Sequence, residues 1–436
     1  MLHSKALAAK LEKAPSWFIS LYAAICAFSV YFCMYAFRKP FSSAGFKGII
    51  FLHVNYKVWL VIAQVIGYML SKFYGIRFIS AMQPGKRAVT IVKLILFSWL
   101  ALLCFGFVPP PYNILFLFLN GFPLGMVWGL VFGYVEGRKT TEFMGAVLCI
   151  SFIFSSGVVK TVGKIIVLNG YATEMWMPFL TGAFFVLPML LFTWLLNHTP
   201  KPTEEDIKMR SIRKPMTEEE RKSFIRNFLP GITMIVATYV LLTILRDFRD
   251  NFSNEIYTEL GFGNDAGIFT QTETWVSVIV LVCISLLIIV KNNMRAFIIN
   301  HYIIIGGYAL ALIATLLFNY HQLSPVLWMT AVGTGLYLSY VPFNALYYER
   351  MIASYRLNAN VGFLIYISDS FGYLGSVVLL LMKELVGIKV SWLTFFTGMV
   401  TIICCVGIVG TFVALVYFKK KYTASQKEAQ TLTTYA

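Results

Sequence analysis

The feature that most limits how this chain can fold is a series of long apolar runs that continues almost from end to end. A helix needs about 20 predominantly apolar residues to cross a bilayer, and the 436-residue sequence contains twelve such runs. Only 13% of the residues are charged, about half the fraction of a soluble domain. The sequence therefore predicts an all-α polytopic membrane protein. The expected spans are 17–38, 57–75, 88–107, 113–135, 144–167, 176–196, 229–252, 268–290, 296–318, 326–347, 358–382 and 392–418.

The formal net charge of +16 does not indicate nucleic-acid binding, because the basic residues lie in alternate connections between spans. This asymmetry is typical of the positive-inside rule. It predicts an inner-membrane protein with both termini and the long central loop in the cytoplasm. Clear examples of the basic connections are Lys86 and Arg87, Arg138 and Lys139, and Lys419 to Lys421.

Motifs of enzymes and metal sites are missing from the sequence. All seven cysteines lie in predicted spans without zinc or disulfide spacing, and the five histidines are scattered. We find no Walker loop, HExxH or GxSxG motif. We expect no enzymatic activity and no cofactor. Energy for any transport would then come from ion gradients or from exchange. Residues 1–16 are basic and the first run is long enough to span, so no cleavable signal peptide is expected.

One long hydrophilic segment, 197–228, divides the spans six and six. We expect an N-terminal bundle (1–196), a cytoplasmic loop (197–228), a C-terminal bundle (229–418) and a cytoplasmic tail (419–436). A weak internal repeat at nearly constant offsets supports two pseudo-symmetric bundles. Its matches are Tyr31, Tyr35 and Arg38 with Tyr239, Thr243 and Arg246; "YVEGR" with "YYERM"; and the part of span 5 from Gly145 with the part of span 11 from Gly362.

Span 4 carries glycine at every fourth residue, which aligns the glycines on one helix face. Such a face lets a neighbouring helix approach closely. Simple helix packing and sliding during a conformational change both fit this pattern. The glycines are Gly121, Gly125, Gly129 and Gly133.

Ionisable residues inside spans are costly, and each therefore needs a partner, an interface or a function. Arg38 and Lys39 end span 1 with no acidic residue within ten positions. They either snorkel at the outer interface or lie inside the bundle, which requires span 1 to continue past Pro40. Lys72, at the end of span 2, has snorkelling toward the cytoplasm as its alternative.

Further charges follow in spans 5, 7, 8 and 11. Those closing span 7 have the alternative of pairing with one another at the outer edge. Asp369 is the most deeply placed acid, and it is either a partner for a cation across the bundle or a coupling residue. These charges are Lys160 and Lys164, which share a helix face and could both reach the outer interface; Arg246, Asp247, Arg249 and Asp250; Glu273, near the start of span 8, with an interfacial position as its alternative; and Asp369.

Within the predicted spans cations outnumber anions, and Arg38 and Arg246 occupy matching places in the two halves. A bundle with a basic centre is suited to an anion. The planar guanidinium binds phosphate or carboxylate in bidentate fashion.

At these residues the sequence resembles the major facilitator superfamily and, more narrowly, its organophosphate:inorganic phosphate antiporters, the glycerol-3-phosphate and hexose-phosphate transporters. It is also similar to bacterial members of this superfamily whose first span reads "YAFRKPF". The resemblance rests on the tyrosines and arginine of span 1 followed by Lys39 and Phe41, "SKF" at 71–73, "RDFRDNF" at 246–252 and "FGYLG" at 371–375.

The resemblance implies the major facilitator fold and a phosphate clamped by Arg38 and Arg246. It implies assistance from Lys72 and from the tyrosines Tyr31, Tyr35 and Tyr373. Tyr239, through its repeat match with Tyr31, and Lys160 complete the candidate set. The sequence departs from the family where span 5 reads "FSSG" instead of a histidine-asparagine pair, where Thr243 replaces a tyrosine, and where Lys160, Arg249 and Asp369 are additional.

We therefore expect a monomeric secondary transporter that moves a small organic anion, a phosphate ester in exchange for inorganic phosphate, by alternating access. Two unpaired guanidiniums would resist closure of an empty site, which favours exchange. Proton-coupled symport is the alternative if Asp369 changes protonation. A transporter-like membrane sensor of sugar phosphates and a lipid flippase are the remaining alternatives.

Overall fold

Helices account for nearly all of the regular structure in the computed structural model, which describes residues 4–80, 82–203, 206, 218–355, 361–385 and 390–434. In the N-terminal half the elements are α1 (Lys5–Glu12), α2 (Ser16–Tyr35), a small β-hairpin of β1 (Ile50–Phe51) and β2 (Val54–Asn55), α3 (Tyr56–Ser80), α4 (Arg87–Phe107), α5 (Ile114–Val135), α6 (Thr141–Leu168) and α7 (Met177–Leu196).

The C-terminal half repeats this order of long helices. Its elements are α8 (Glu218–Asn251), α9 (Ser253–Glu259), α10 (Ile268–Ile288), α11 (Asn293–Asn319), α12 (Pro325–Pro342), a π-helical turn (Phe343–Tyr347), α13 (Tyr348–Ser354), α14 (Val361–Leu385) and α15 (Trp392–Thr434).

The prediction of a multi-pass membrane protein is confirmed. Eleven helices within the described residues are long and apolar enough to cross a membrane. A further long helix, α14, occupies the place of the predicted span at 358–382, whose first residues lie outside the described ranges. Large apolar side chains such as Phe107, Leu187 and Ile289 are exposed on the helix surfaces, as expected of residues that face lipid.

Two helices are longer than their apolar runs. Helix α15 continues to Thr434, through the segment predicted as a cytoplasmic tail. Helix α8 begins at Glu218, inside the predicted central loop. Apolar length marks the part of a helix that lies in lipid, whereas the helix can continue into water with polar residues.

The prediction that span 1 continues past Pro40 is wrong for the regular α-helix, which ends at Tyr35. The backbone amides of Arg38 and Lys39 donate to the Tyr35 carbonyl and form a turn directly after the helix. A 3₁₀-helix follows at Pro40–Ser43. Proline has no amide hydrogen and cannot continue an α-helical hydrogen-bond ladder. The chain nevertheless stays inside the bundle, because Arg38, Lys39 and Pro40 are buried.

Glycines bring α3 and α5 into close contact. A methyl group at Gly121 would lie 2.3 Å from the backbone carbonyl oxygen of Gln64, and one at Gly125 would lie 1.8 Å from the Ser71 hydroxyl. Gly129 and Gly133 face the side chains of Ile79 and Arg87. The row of glycines is therefore a packing surface for neighbouring helices.

We expect Gly121→Ala to lower the stability of the protein by about 1–3 kcal/mol, because overpacking against a rigid backbone cannot be relieved by a rotamer change. Thermal unfolding of the purified protein in detergent measures this. The matched control is Gly306→Ala in α11, where an added methyl group would meet nothing within 4 Å. Equal unfolding temperatures for the two variants would contradict the packing role of Gly121.

The two halves meet along α3 with α14 and along α6 with α10. One end of the bundle carries the α5–α6 connection and the beginning of the central segment, since the Lys139 amide donates to Asp206 over 2.9 Å. We call this end the loop side and the opposite end the far side. Ion pairs between the halves close the far side, for example Lys57 with Glu255 at 2.6 Å.

Candidate functional site

A cavity of about 370 Å³ lies between the two halves. Its deep end is lined by Arg38 and Lys39, which follow α2, and by Arg246 and Asp250 of α8. Its other end reaches Glu142, at the start of α6 on the loop side. The cavity therefore extends from the middle of the bundle toward the loop side, while ion pairs close the far side.

Arg38 is the central cation of the cavity. The side chain is 7% exposed, and its guanidinium carbon lies 3.8 Å from the ring centre of Tyr68, a cation–π contact. Gln64 fixes the local backbone by donating to the Arg38 carbonyl over 2.9 Å. Within the described part of the chain, the guanidinium has no carboxylate partner, and its Nε has no hydrogen-bond partner.

Arg246 has a different environment from Arg38. Its Nε and terminal nitrogen donate to Asp247 Oδ1 over 3.2 and 2.7 Å, and its guanidinium lies 4.2 Å from the ring centre of Tyr340. Asp247 also accepts a hydrogen bond from Ser376 of α14. The two arginines matched by the internal repeat thus share the cavity, but Arg246 already has a carboxylate neighbour.

Two tyrosines connect the arginines across the halves. Tyr68 of α3 and Tyr373 of α14 have ring centres 5.4 Å apart in an edge-to-face arrangement. Tyr68 lies under Arg38, and Tyr373 lies 6.0 Å from the Arg246 guanidinium. The aromatic pair therefore joins the two halves between the two guanidiniums.

Asp369 joins the halves on the same side of the cavity. Its Oδ2 lies 3.3 Å from Lys72 Nζ of α3, and Tyr239 donates a hydrogen bond to its Oδ1. The Tyr239 hydroxyl accepts a hydrogen bond from the Tyr340 hydroxyl over 2.9 Å, since its single hydrogen goes to Asp369. Asp369 is therefore the cross-bundle partner of a lysine, one of the two roles that the sequence left open.

Asp250 lies where the cavity ends toward the far side, between two lysines of the N-terminal half. Lys39 Nζ lies 2.5 Å from Asp250 Oδ2, and Lys160 Nζ lies 2.5 Å from Asp250 Oδ1. Ser156 donates to the carboxylate, at 2.5 Å. We call Asp250, Lys39, Lys160 and Ser156 the latch, because they tie α8 to the N-terminal half.

Three carboxylates, Glu136, Glu142 and Glu349, line the cavity toward the loop side. Arg350 donates to Glu142 over 3.1 Å, which joins α13 to α6. Within the described residues, this ion pair joins the two halves on the loop side. On the far side, several ion pairs join them. The cavity wall here includes the π-helical turn at Phe343–Tyr347, a local widening of the helix that often occurs at functional sites.

Most candidate residues from the sequence reach the cavity, namely Arg38, Arg246, Tyr31, Tyr35, Lys72, Tyr373 and Asp369. Two others lie behind its lining. Tyr239 is fully buried beside Asp369, and Lys160 holds Asp250 instead of reaching the outer interface. Lys164 donates to Asn254 over 2.9 Å.

The charges of α8 do not simply pair among themselves at an outer edge. Arg246 pairs with Asp247, but Arg249 pairs with Glu273 of α10 at 2.6 Å, and Asp250 pairs with lysines of the other half. Glu273 is accordingly buried and not interfacial.

Sequence reasoning missed Tyr68, Trp128 and Tyr340 as lining residues. Tyr68 precedes Lys72 by one helical turn, which places both side chains on one face of α3. This spacing was the sequence signal from which Tyr68 could have been predicted as a lining residue. The described residues contain no group of three or more acidic, histidine or cysteine side chains arranged to hold a metal ion.

Solved structures with a similar fold include several transporters. The nucleoside transporter NupG is 15% identical, with a TM-score of 0.57 over 92% of this chain and 99% of its own. The D-xylose-proton symporter is 15% identical, with a TM-score of 0.59 over 91% and 96%. The human organic anion transporter MFSD10 is 11% identical, with a TM-score of 0.56 over 92% and 100%. The chain has the major facilitator fold, as predicted.

Residues 40–421 match the family described as "Family of unknown function (DUF5690)", and the chain belongs to this family. No curated protein sequence matches the chain.

Proposed function

We propose that this protein is a secondary active transporter of a small organic anion, which binds at Arg38 in the central cavity. One observation carries the proposal. Arg38 is a buried guanidinium in the cavity, and its charge has no carboxylate partner among the described residues. An unpaired buried charge is unfavourable by several kcal/mol, and a bound anion would remove that penalty. The solved transporters of the same fold are consistent with such an activity.

The latch and the position of the cavity suggest how transport would proceed. The cavity reaches the loop side, and Asp250 keeps α8 bound to Lys39 and Lys160 of the other half. For the opposite face to open, α8 must move away from these lysines. Transport is then a rocking of the two halves about the central site. The lysine- and arginine-rich connections on the loop side support a cytoplasmic location for that side.

Two forms of coupling fit this site. Exchange of a phosphate ester for inorganic phosphate is the form that the resemblance to organophosphate antiporters implies. In exchange, the anion is required to neutralise Arg38 before the halves can close. Proton symport is the second form, and it is supported by Asp369, whose carboxylate contacts Lys72 and Tyr239 at the boundary between the halves. A proton on Asp369 would weaken the contact with Lys72.

Uptake by liposomes that contain the purified protein tests the transport function. We expect saturable uptake of a labelled organic anion from a panel of inorganic phosphate, glucose 6-phosphate and benzoate, and no uptake of the neutral sugar xylose. Stimulation by the same anion inside the liposomes indicates exchange, whereas stimulation by an imposed proton gradient indicates symport. Empty liposomes are the control. Uptake restricted to the neutral sugar would overturn the anion proposal.

A further inference from the structure

We infer that Gln64 and Asn120 are positioning residues for the bound anion, because their side-chain amides hold the turn that carries Arg38 into the cavity. We call these two residues the clamp. The inference rests on the proposed function and goes beyond the site described above, since neither residue is part of the cavity lining.

The turn that carries Arg38 is non-helical backbone inside the bundle. Helix α2 ends at Tyr35, and the next regular element begins at Pro40. Phe37 and Arg38 lie between them and are buried. In a membrane protein, buried backbone carbonyls must be satisfied by the protein itself. The carbonyls of this turn are therefore points at which side chains can fix its position.

The clamp supplies hydrogen bonds to two of these carbonyls. Gln64 Nε2 donates to the Arg38 carbonyl over 2.9 Å and to Asn120 Oδ1 over 2.8 Å. Asn120 Nδ2 donates to the Phe37 carbonyl over 2.8 Å and to the Ser98 carbonyl over 3.1 Å. Each amide nitrogen carries two hydrogens, and all four are used. The network also determines the orientation of both amides, because a rotated amide would place its oxygen against acceptor oxygens.

Helix α3 holds both ends of Arg38. Gln64 binds the backbone end, and Tyr68, four residues later on the same helix face, has its ring centre 3.8 Å from the guanidinium carbon. Close packing with α5 brings the two clamp residues together. A methyl group at Gly121, next to Asn120, would lie 2.3 Å from the Gln64 carbonyl oxygen. The position of Arg38 is thus set from α3 and α5.

The same turn also carries Lys39 of the latch. Lys39 Nζ lies 2.5 Å from Asp250 Oδ2 and donates to Asn251 over 2.9 Å. Because Arg38 and Lys39 are neighbours in the chain, a displacement of the turn moves both cations. The clamp therefore sets the geometry of the anion site and of the latch from one place in the N-terminal half.

Uptake kinetics of Gln64→Met in liposomes test the inference. Methionine has a similar length and no donor, so the substitution removes both hydrogen bonds and keeps the space filled. We expect KM to rise by about tenfold, because a guanidinium displaced by about 1 Å no longer aligns its hydrogen bonds with the anion. The labelled probe is whichever of inorganic phosphate, glucose 6-phosphate and benzoate the unaltered protein takes up fastest.

A second variant and a matched control separate positioning from a general loss of stability. Asn120→Leu removes the donor to the Phe37 carbonyl and should raise KM as well. Asn113→Leu removes another buried amide of the same half, which donates to the Phe105 carbonyl over 3.3 Å. We expect this control to lower the unfolding temperature and the maximal rate, through the amount of folded transporter, and to leave KM unchanged.

The outcomes distinguish this inference from the proposed function. An unchanged KM in the folded clamp variants would overturn the clamp and leave anion transport intact, and if one variant does not fold, the KM of the other decides. An equal rise in KM for Asn113→Leu would also overturn the clamp. Absence of saturable uptake of all three anions by the unaltered protein would overturn both the inference and the proposed function.

Discussion

Replacing Arg38 by glutamine is expected to weaken anion binding by about a hundredfold or more, because two charge-assisted hydrogen bonds are lost and each contributes about 1.5–3 kcal/mol. Arg38→Lys keeps the charge but removes the planar fork, so we expect an intermediate loss of about tenfold. Isothermal titration with the anion that gives the highest uptake measures both effects.

A control variant and a thermal unfolding measurement distinguish a loss of binding from a loss of folding. Arg295 is an exposed arginine at the start of α11, and Arg295→Gln should bind the anion like the unaltered protein. Thermal unfolding of each variant shows whether the bundle is intact. If a folded Arg38→Gln variant binds the anion with unchanged affinity, Arg38 has no role in substrate binding.

Asp250→Asn is expected to open the far side of the bundle. The substitution leaves the charges of Lys39 and Lys160 without their carboxylate, and loss of one partner from a buried ion pair is unfavourable by about 3–5 kcal/mol. The state in which α8 is tied to the other half is destabilised accordingly. Spin labels at Lys47 and Asn264, exposed positions on the two halves, should show a shift to longer distances by pulsed electron paramagnetic resonance.

The labelled protein needs a matched comparison. Asp206→Asn removes a carboxylate on the loop side and should not change the distance between the labels. Exposed Cys405 is first replaced by serine so that labelling is specific. An unchanged distance distribution in Asp250→Asn would mean that the latch does not hold the far side closed.

The fold was largely accessible from the sequence because the bilayer restricts what an apolar run can form. Runs of about 20 apolar residues must satisfy their backbone groups internally, so they become helices. The positions at which the helices end could not be predicted from the apolar runs. Pro40 ended the regular helix of span 1 earlier than the hydrophobic pattern indicated, and α15 continued into polar residues that carry no apolar signal.

The candidate site was predicted only in part. Spacing and resemblance selected Arg38, Arg246 and Tyr373, which do line the cavity. The ion pairs were not predictable, since Asp250 meets Lys39 and Lys160 from a different half, about 90 or more positions along the chain. Helix rotation decides such pairings. Tyr68 was missed because a tyrosine in an apolar run is equally typical of packing.

The central claim is that a small organic anion binds in the cavity beside Arg38. Crystals of the protein soaked with 4-bromobenzoate and, separately, with 4-bromophenyl phosphate test it most directly, because bromine gives an anomalous signal. We expect an anomalous peak inside the cavity for at least one compound, with its acidic group on the Arg38 guanidinium, and no peak there in Arg38→Gln crystals. An empty cavity with both compounds, or a peak that persists in Arg38→Gln, would contradict the claim.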